Sequence, residues 1–509
     1  MSILTVRQAH SIGLTVGIAC AGIAGIPAAA AEVPLSEAGF IQFTAGGTAL
    51  VYDGSGSPVP DARYLDAVNA LYLQPNGFTG AMEPGFVPDG LYPITGIRTL
   101  GFGTSAVQGQ SMMFANIQSH LATGEFSSEN PLVVVGYSQT STVASMVMSQ
   151  LQEAGVPSDV VRFVLLGDPS NPNGGMLTTF DLPSGNTGAL SALDVPIGPP
   201  TPSNLYATDV YTIEYDAAAD FPHYPLNLLS VLNALVGNFT EHFIYADITP
   251  EQVADAILLP GSATLTGEGL TDYYMIPNPD LPLLMPLLLI PWVGQPLYNL
   301  LEPVTRILVN LGYGSITEGW NQGPANVATT FGLFPQIDLG QLAAALGSGV
   351  QQGFTDALDA LANPVSYEEQ LAPLMPFANA FYTHGFIDQE PTSFDDVLEG
   401  LLRIGGFPVS EVTWSSPPSE IIDMLSNTLA YDYSALVPAA DAINALLTSL
   451  PAYAANILFD QLGAGDLLEA IGLPVAAYGG LVPLDALNGV APALFAVLGT
   501  VDNLFELFF

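Results

Sequence analysis

From Thr48 to about Asp247, short apolar runs alternate with stretches of helical spacing. Residues 49–53, 131–136, 160–167 and 209–215 read as strands, each bounded by Gly, Pro, Asn or Asp. Between them, Tyr64, Val68 and Leu71 recur at helical spacing, and residues 104–121 and 139–154 carry longer helical patterns. Strand and helix in alternation predict a parallel sheet covered by helices on both faces.

The pattern changes beyond Pro277. Leucine and proline dominate, most densely over residues 281–291, and the prolines forbid a regular transmembrane helix there. That stretch is expected to be core, with an apolar acyl tunnel or cap as the alternative. From Asp338 onward the period becomes helical, with Leu339, Leu342, Leu346 and Val350 on one face, then Phe394, Val397, Leu398 and Leu401 behind a Ser393 cap. The chain thus divides into residues 1–31, a sheet-containing domain over 32–335, and a mainly helical cap or appended region over 336–509.

Residues 1–31 read as a signal peptide: Arg7 supplies charge, residues 12–23 are apolar, and residues 28–31 are four alanines. A membrane anchor is the alternative, but Gly13, Gly17, Gly22 and Pro27 interrupt a stretch already too short to span a bilayer. The protein is therefore expected to be secreted or held in the cell envelope. Cys20 is the only cysteine, and Gly17-Ile18-Ala19-Cys20 loosely resembles a lipoprotein cleavage site. Cleavage after residue 31 would leave no disulfide, metal thiolate or cysteine nucleophile.

Charge narrows the function further. The chain has 6 basic residues, all arginine, against 48 acids, for a net charge of −42. Such a surface repels phosphate backbones and anionic headgroups, so nucleic acid is not an expected partner and contact with envelope lipids would be peripheral and apolar. The acids are dispersed and the histidines few, so no metal is expected. No phosphate loop or dinucleotide fingerprint is present, and no cofactor is expected.

The chemistry concentrates at one turn. Leu132-Val133-Val134-Val135-Gly136-Tyr137-Ser138-Gln139-Thr140 sets a serine between a buried strand and a helix, the context of a nucleophile elbow. Thr140 stands where a glycine is usual, and a plain helix cap is the alternative role for Ser138. The base should follow the serine in the chain. His10 lies in the leader, His120 precedes Ser138 and His384 belongs to the distal helical half, leaving His223 and His242. His242 is preferred, because the helical stretch 226–235 lets its loop fold back over Ser138. The acid is sought just past the strand 209–215; Asp220 is preferred because it can bend toward the histidine, with Asp216 as the alternative acid. The backbone N–H of Gln139 and a donor near Ser55 are the expected oxyanion hole.

These residues resemble the PE-PPE domain family of mycobacterial and related actinobacterial serine hydrolases, which are themselves cutinase-like. The resemblance rests on Gly136-Tyr137-Ser138-Gln139, Gly167-Asp168-Pro169 with Asn171-Pro172-Asn173-Gly174-Gly175, Tyr215-Asp216 with Ala219-Asp220-Phe221-Pro222, and Tyr224-Pro225-Leu226-Asn227. Asn233-Ala234-Leu235, His242, Tyr245 and Val309-Asn310-Leu311-Gly312-Tyr313-Gly314 extend it, so that it runs from about Thr48 to about Pro335. It implies an α/β-hydrolase fold, a Ser-Asp-His triad and action on acyl esters of short to medium chain length. Some relatives resemble acyltransferases that build trehalose glycolipids, so a fatty acyl transfer to trehalose or another glycolipid acceptor is the alternative. A signal peptide stands where many relatives carry a PE or PPE module, so no partner of such a module is expected. A catalytically silent envelope binding or scaffold protein is the alternative of a different class.

Overall fold

The computed structural model describes residues 46–186, 194–195, 197–410 and 412–508. The signal-peptide reading of residues 1–31, with Cys20 and His10, lies outside the described residues.

Seven strands form one sheet: β1 (Thr48–Val51), β2 (Ala81–Pro84), β3 (Leu132–Tyr137), β4 (Val161–Leu166), β5 (Ala207–Ile213), β6 (Ile257–Leu258) and β7 (Thr271–Ile276). Their order is β2-β1-β3-β4-β5-β7-β6, and every pairing is parallel except that of β6 with β7. β3 is wholly buried and β4 nearly so, as the Val- and Leu-rich centre of a two-sided parallel sheet requires.

Side-chain alternation divides the core in two. Val133, Val135, Val164, Leu166 and Tyr211 face one side, where they meet Tyr64, Leu65 and Val68 of α1 (Ala62–Val68). Leu132, Val134, Phe163 and Leu165 face the other, against Met113 and Ile117 of α2 (Phe102–Leu121) and Val143, Val147 and Leu151 of α3 (Gln139–Glu153). This is an α/β-hydrolase-type sandwich, with a helical region following it in the chain.

β2, β6 and β7 are strands that the hydrophobic pattern does not announce. β2 is a four-residue edge with mostly exposed side chains, too short to show a period. β7 contains Asp272, which breaks the apolar run; the structure satisfies its carboxylate with the Thr264 amide at 2.8 Å and hydroxyl at 2.6 Å.

The leucine and proline stretch becomes a 3-10 segment, Pro282–Leu289, that buries Met285 and Leu288 and leaves Leu289 and Ile290 exposed. After α4 (Leu228–Thr240) and α5 (Gly294–Asn310), the helix α6 (Leu339–Ala362) packs on α5. Half of the expected apolar face of α6 is used: Leu342 and Leu346 are half-buried and run on into the buried Gly349, Gly353 and Ala357, whereas Leu339 and Val350 are exposed. A Cβ on Gly353 would collide with the Leu300 carbonyl oxygen, so the backbones of α5 and α6 approach closely along the glycine part of this stripe.

Next come α7 (Met375–Thr383) and α8 (Phe394–Ile404), the latter capped by Ser393 in a capping box with Asp396. The chain ends in α9 (Pro418–Ser434), α10 (Leu436–Asn444), α11 (Leu450–Ala464) and the 42-residue α12 (Leu467–Phe508). These helices share a core with the sandwich: Tyr453, Ile457, Leu473 and Leu481 cluster with Phe180, Phe221 and Phe331. The described residues accordingly form one compact unit. Residues 418–464 and α12 are also long and apolar enough, by length and composition alone, to cross a membrane.

Candidate active site

β3 delivers Ser138 to the carboxyl edge of the sheet, and α3 begins at the next residue. Ser138 has φ 56° and ψ −120°, a left-handed backbone that a non-glycine residue adopts only under constraint. The turn is close-packed: a Cβ on Gly136 would come within 2.8 Å of the Thr140 carbonyl oxygen. Thr140 fits where a glycine is usual because its hydroxyl is absorbed, accepting from the Tyr137 amide at 2.8 Å and lying 2.9 Å from the Tyr137 carbonyl.

Ser138 Oγ lies 2.8 Å from His242 Nε2, and His242 Nδ1 lies 2.8 Å from Asp216 Oδ2. All three side chains are buried. With a carboxylate at Nδ1, that nitrogen carries the hydrogen and Nε2 presents its lone pair to the serine. Asp216 is held from several sides: Tyr245 Oη donates to Oδ2 at 2.8 Å and the Ala218 amide donates to Oδ1 at 2.8 Å.

Asp220, the preferred acid, is not at the histidine; the alternative, Asp216, is. The backbone explains the exchange. Tyr215 takes φ 71°, so the chain turns sharply just after β5 and aims Asp216 at His242. By residue 220 the turn has closed, with the Asp220 amide donating to the Asp216 carbonyl at 2.6 Å. The Asp220 carboxylate accepts from the Tyr215 amide at 2.9 Å, and burial holds that carboxyl well above the usual range. Asp220 thus shapes the turn that presents Asp216.

His223 and His120 stand elsewhere. Burial draws His223 down to about 4, and its ring packs edge-on against Tyr224. His120 contacts Glu83 at 3.2 Å on the surface. Beside His242, burial pushes the Glu241 carboxyl up to about 8.

Both expected oxyanion residues adjoin the nucleophile. The Gln139 amide sits at the first position of α3, where no intrahelical acceptor exists, at the positive end of the helix dipole. The loop after β1 reaches the same point: a Cβ on Gly54 would lie 3.2 Å from the Ser138 Cβ. Gln139 ties this loop down, its Nε2 donating to Ser55 Oγ at 3.2 Å and to the Gly90 carbonyl at 2.8 Å, while its Oε1 accepts from Ser105 Oγ at 2.7 Å.

A cavity of about 170 Å³ opens at Ser138, with Gly54, Ser55 and His242 in its lining. Its apolar wall includes Phe243, Phe377, Phe381, Phe386, Leu401 and Phe495. Five of those six come from beyond residue 336. The leucine and proline stretch, considered for an acyl tunnel, contributes nothing to this lining. His384, from the distal helical half, and Asp53 also line it; they lie 331 positions apart, and no local signal links them. Among the described residues no cluster suited to a metal ion occurs.

The PE-PPE domain profile matches residues 83–314, spanning the elbow, the acid turn and His242. PE family protein PE3 of Mycobacterium tuberculosis is 35% identical, over 70% of this chain and 72% of that protein. The chain belongs to the PE-PPE domain family. Esterase PE16 of the same organism is a PE-PPE relative 39% identical over 68% of this chain and 62% of its own length. Diacyltrehalose acyltransferase Chp2, also from M. tuberculosis, is 25% identical over 40% of this chain and 57% of that protein. The chain spans about three-fifths of the length of curated relatives it matches, at 62% of Esterase PE16.

Proposed function

We propose that this PE-PPE protein is a secreted or envelope-held serine esterase that cleaves short- to medium-chain acyl esters through an acyl-enzyme on Ser138. The observation that carries this reading is the hydrogen-bonded series Ser138, His242 and Asp216 at the mouth of an aromatic cavity. A cavity below the roughly 300–1,000 Å³ of drug-sized sites suits a short acyl chain. An esterase-named relative adds support.

In this mechanism His242 Nε2 takes the Ser138 proton as Oγ attacks the ester carbonyl carbon. Asp216 orients the imidazole and stabilises its charged form. The oxyanion receives the Gln139 N–H and a backbone N–H of the Gly54–Ser55 loop. Collapse expels the alcohol, which takes the proton from His242 and leaves Ser138 acylated. Water, deprotonated by His242, then attacks the acyl carbon, and the acid leaves as Oγ recovers its proton.

A second reading replaces water with a sugar hydroxyl and makes the protein an acyltransferase acting on trehalose or another glycolipid acceptor. The acyltransferase name of one relative favours it. Export through residues 1–31 and peripheral contact with envelope lipids belong to the same proposal.

The test is hydrolysis of p-nitrophenyl esters of increasing chain length, with and without trehalose, by the protein and by Ser138→Ala. Nitrophenol release lost in the variant supports the esterase, and acylated trehalose moves the assignment to transferase. Equal inactivity of two folded proteins would favour a silent binding or scaffold protein.

A further inference from the structure

The C-terminal helical region places a second buried histidine–aspartate pair beside the first. His384 caps the end of α7, its amide donating to the Ala380 carbonyl at 2.9 Å. Its Nδ1 straddles the Asp53 carboxylate, 2.8 Å from Oδ1 and 3.0 Å from Oδ2. Asp53 Oδ1 also accepts from the Gly54 amide at 2.7 Å. Gly54 and Ser55 are the segment that lies against Ser138.

We infer that His384 is a positioning residue for the oxyanion loop, holding Gly54 and Ser55 at the nucleophile through Asp53, an inference that rests on the esterase reading of Ser138.

Three observations converge on it. The loop needs restraint from outside itself, because Gly54 and Gly56 give it freedom and Gly56 takes φ 93°. Gln139 and the Asp89 carbonyl, which accepts from the Gly56 amide at 2.8 Å, hold one side, and Asp53 with His384 holds the other. Secondly, the His384 ring is locked by packing, its centroid 4.9 Å from Tyr64, 5.6 Å from Tyr137 and 5.2 Å from Phe243. Tyr137 and Phe243 are the immediate neighbours of Ser138 and His242. Thirdly, Asp53 is buried and can be tolerated there only with a partner. Burial draws the His384 ring down, but the Asp53 charge, its hydrogen bond and nearby Asp247 more than offset this and leave the ring above its usual value. Asp89 is the remaining acid beside Asp53, and burial first, then Asp53, hold its carboxyl well above the usual range.

The arrangement works as an outer support. A loop amide misplaced by about 1 Å costs an oxyanion hole much of its effect, because the donors must meet the transition-state oxygen rather than the ground-state carbonyl. The C-terminal region therefore contributes to turnover as well as to the acyl wall.

The test uses the full-length protein, p-nitrophenyl hexanoate and an octyl trifluoromethyl ketone, whose hemiketal with Ser138 mimics the tetrahedral intermediate. His384→Phe keeps a ring and removes the donor; His384→Asn keeps an N–H near the place of Nδ1. The expected result is a kcat loss of about 100-fold in His384→Phe with KM changed less than about threefold, a parallel loss of ketone affinity, and recovery to within about tenfold in His384→Asn. Should His384→Phe fail to fold, Asp53→Asn, which keeps size and removes the charge, carries the same expectation. A folded His384→Phe with kcat within about twofold of the parent overturns the inference, as do equal losses in both His384 variants that follow their melting temperatures. Turnover that survives Ser138→Ala removes the esterase reading and this inference with it, whereas turnover lost in Ser138→Ala but intact in His384→Phe removes this inference alone.

Discussion

The central sheet and the helices beyond residue 336 are both rich in Leu, Val and Ala, yet they bury them differently. In the sheet, alternate residues of one strand go to opposite faces and nearly all are covered. In the C-terminal helices large apolar residues face outward in numbers, with Leu429 66% exposed, Leu447 73% and Phe459 69%. Packing there runs instead through small residues, as at Gly353 and Gly489, where a Cβ would collide with the neighbouring helix. The difference separates two jobs. The sheet fixes a few polar groups to within hydrogen-bond tolerance, and the helices supply an apolar wall together with one support from behind.

That division predicts a ranking of effects. The largest belongs to the sheet: Ser138→Ala should lower kcat for p-nitrophenyl hexanoate by at least about 10⁴-fold, measured by burst-free initial rates. Asp216→Asn should lose about 10³- to 10⁴-fold, since the imidazole then loses its orienting carboxylate, whereas Asp220→Asn should stay within about tenfold and act on thermal stability. Equal losses at the two aspartates would break the assignment of the acid. A smaller effect belongs to the helices. Phe381→Ala should enlarge the wall and shift the kcat/KM ratio of decanoate to hexanoate upward by about tenfold, leaving kcat for butyrate unchanged. A ratio that does not move would detach the C-terminal helices from substrate selection.

The smallest expected effect is one of pH. Burial raises Glu241 from the usual 4.5 to about 8, so between those values the unfolded chain has released a proton that the folded one retains. Stability should therefore fall as pH rises through that window, by up to about 1.4 kcal/mol per unit from this group. Glu241→Gln should flatten the fall in melting temperature between pH 5 and pH 8. An unchanged slope would show that other groups govern it.

How much of this was legible in the sequence follows the same division. β1, β3, β4 and β5 and the elbow turn were readable because strand, turn and helix signals lie within a few residues of one another, and the position of His242 because few histidines follow Ser138 in the chain. The choice between Asp216 and Asp220 was not, since both fall in one turn and the positive φ of Tyr215 decides which faces the histidine. On α6 only Leu342 and Leu346 of the expected face turn inward, and Leu339 and Val350 lie outside, because the buried stripe continues through Gly349, Gly353 and Ala357, which carry no hydrophobic signal of their own. His384 had no local signal at all.

The contact between Asp53 and His384 also bears on when the protein becomes competent during its own synthesis. A nascent chain that has emerged only as far as Pro335 contains the nucleophile, its base and its acid. It lacks the residue that, on our inference, braces the oxyanion loop, and that contact closes across 331 positions, among the most entropically delayed kind a chain forms. Full reactivity would then arrive only after residue 384 has emerged rather than with assembly of the sheet, leaving an acyl-accepting serine damped while the helical region is still being made.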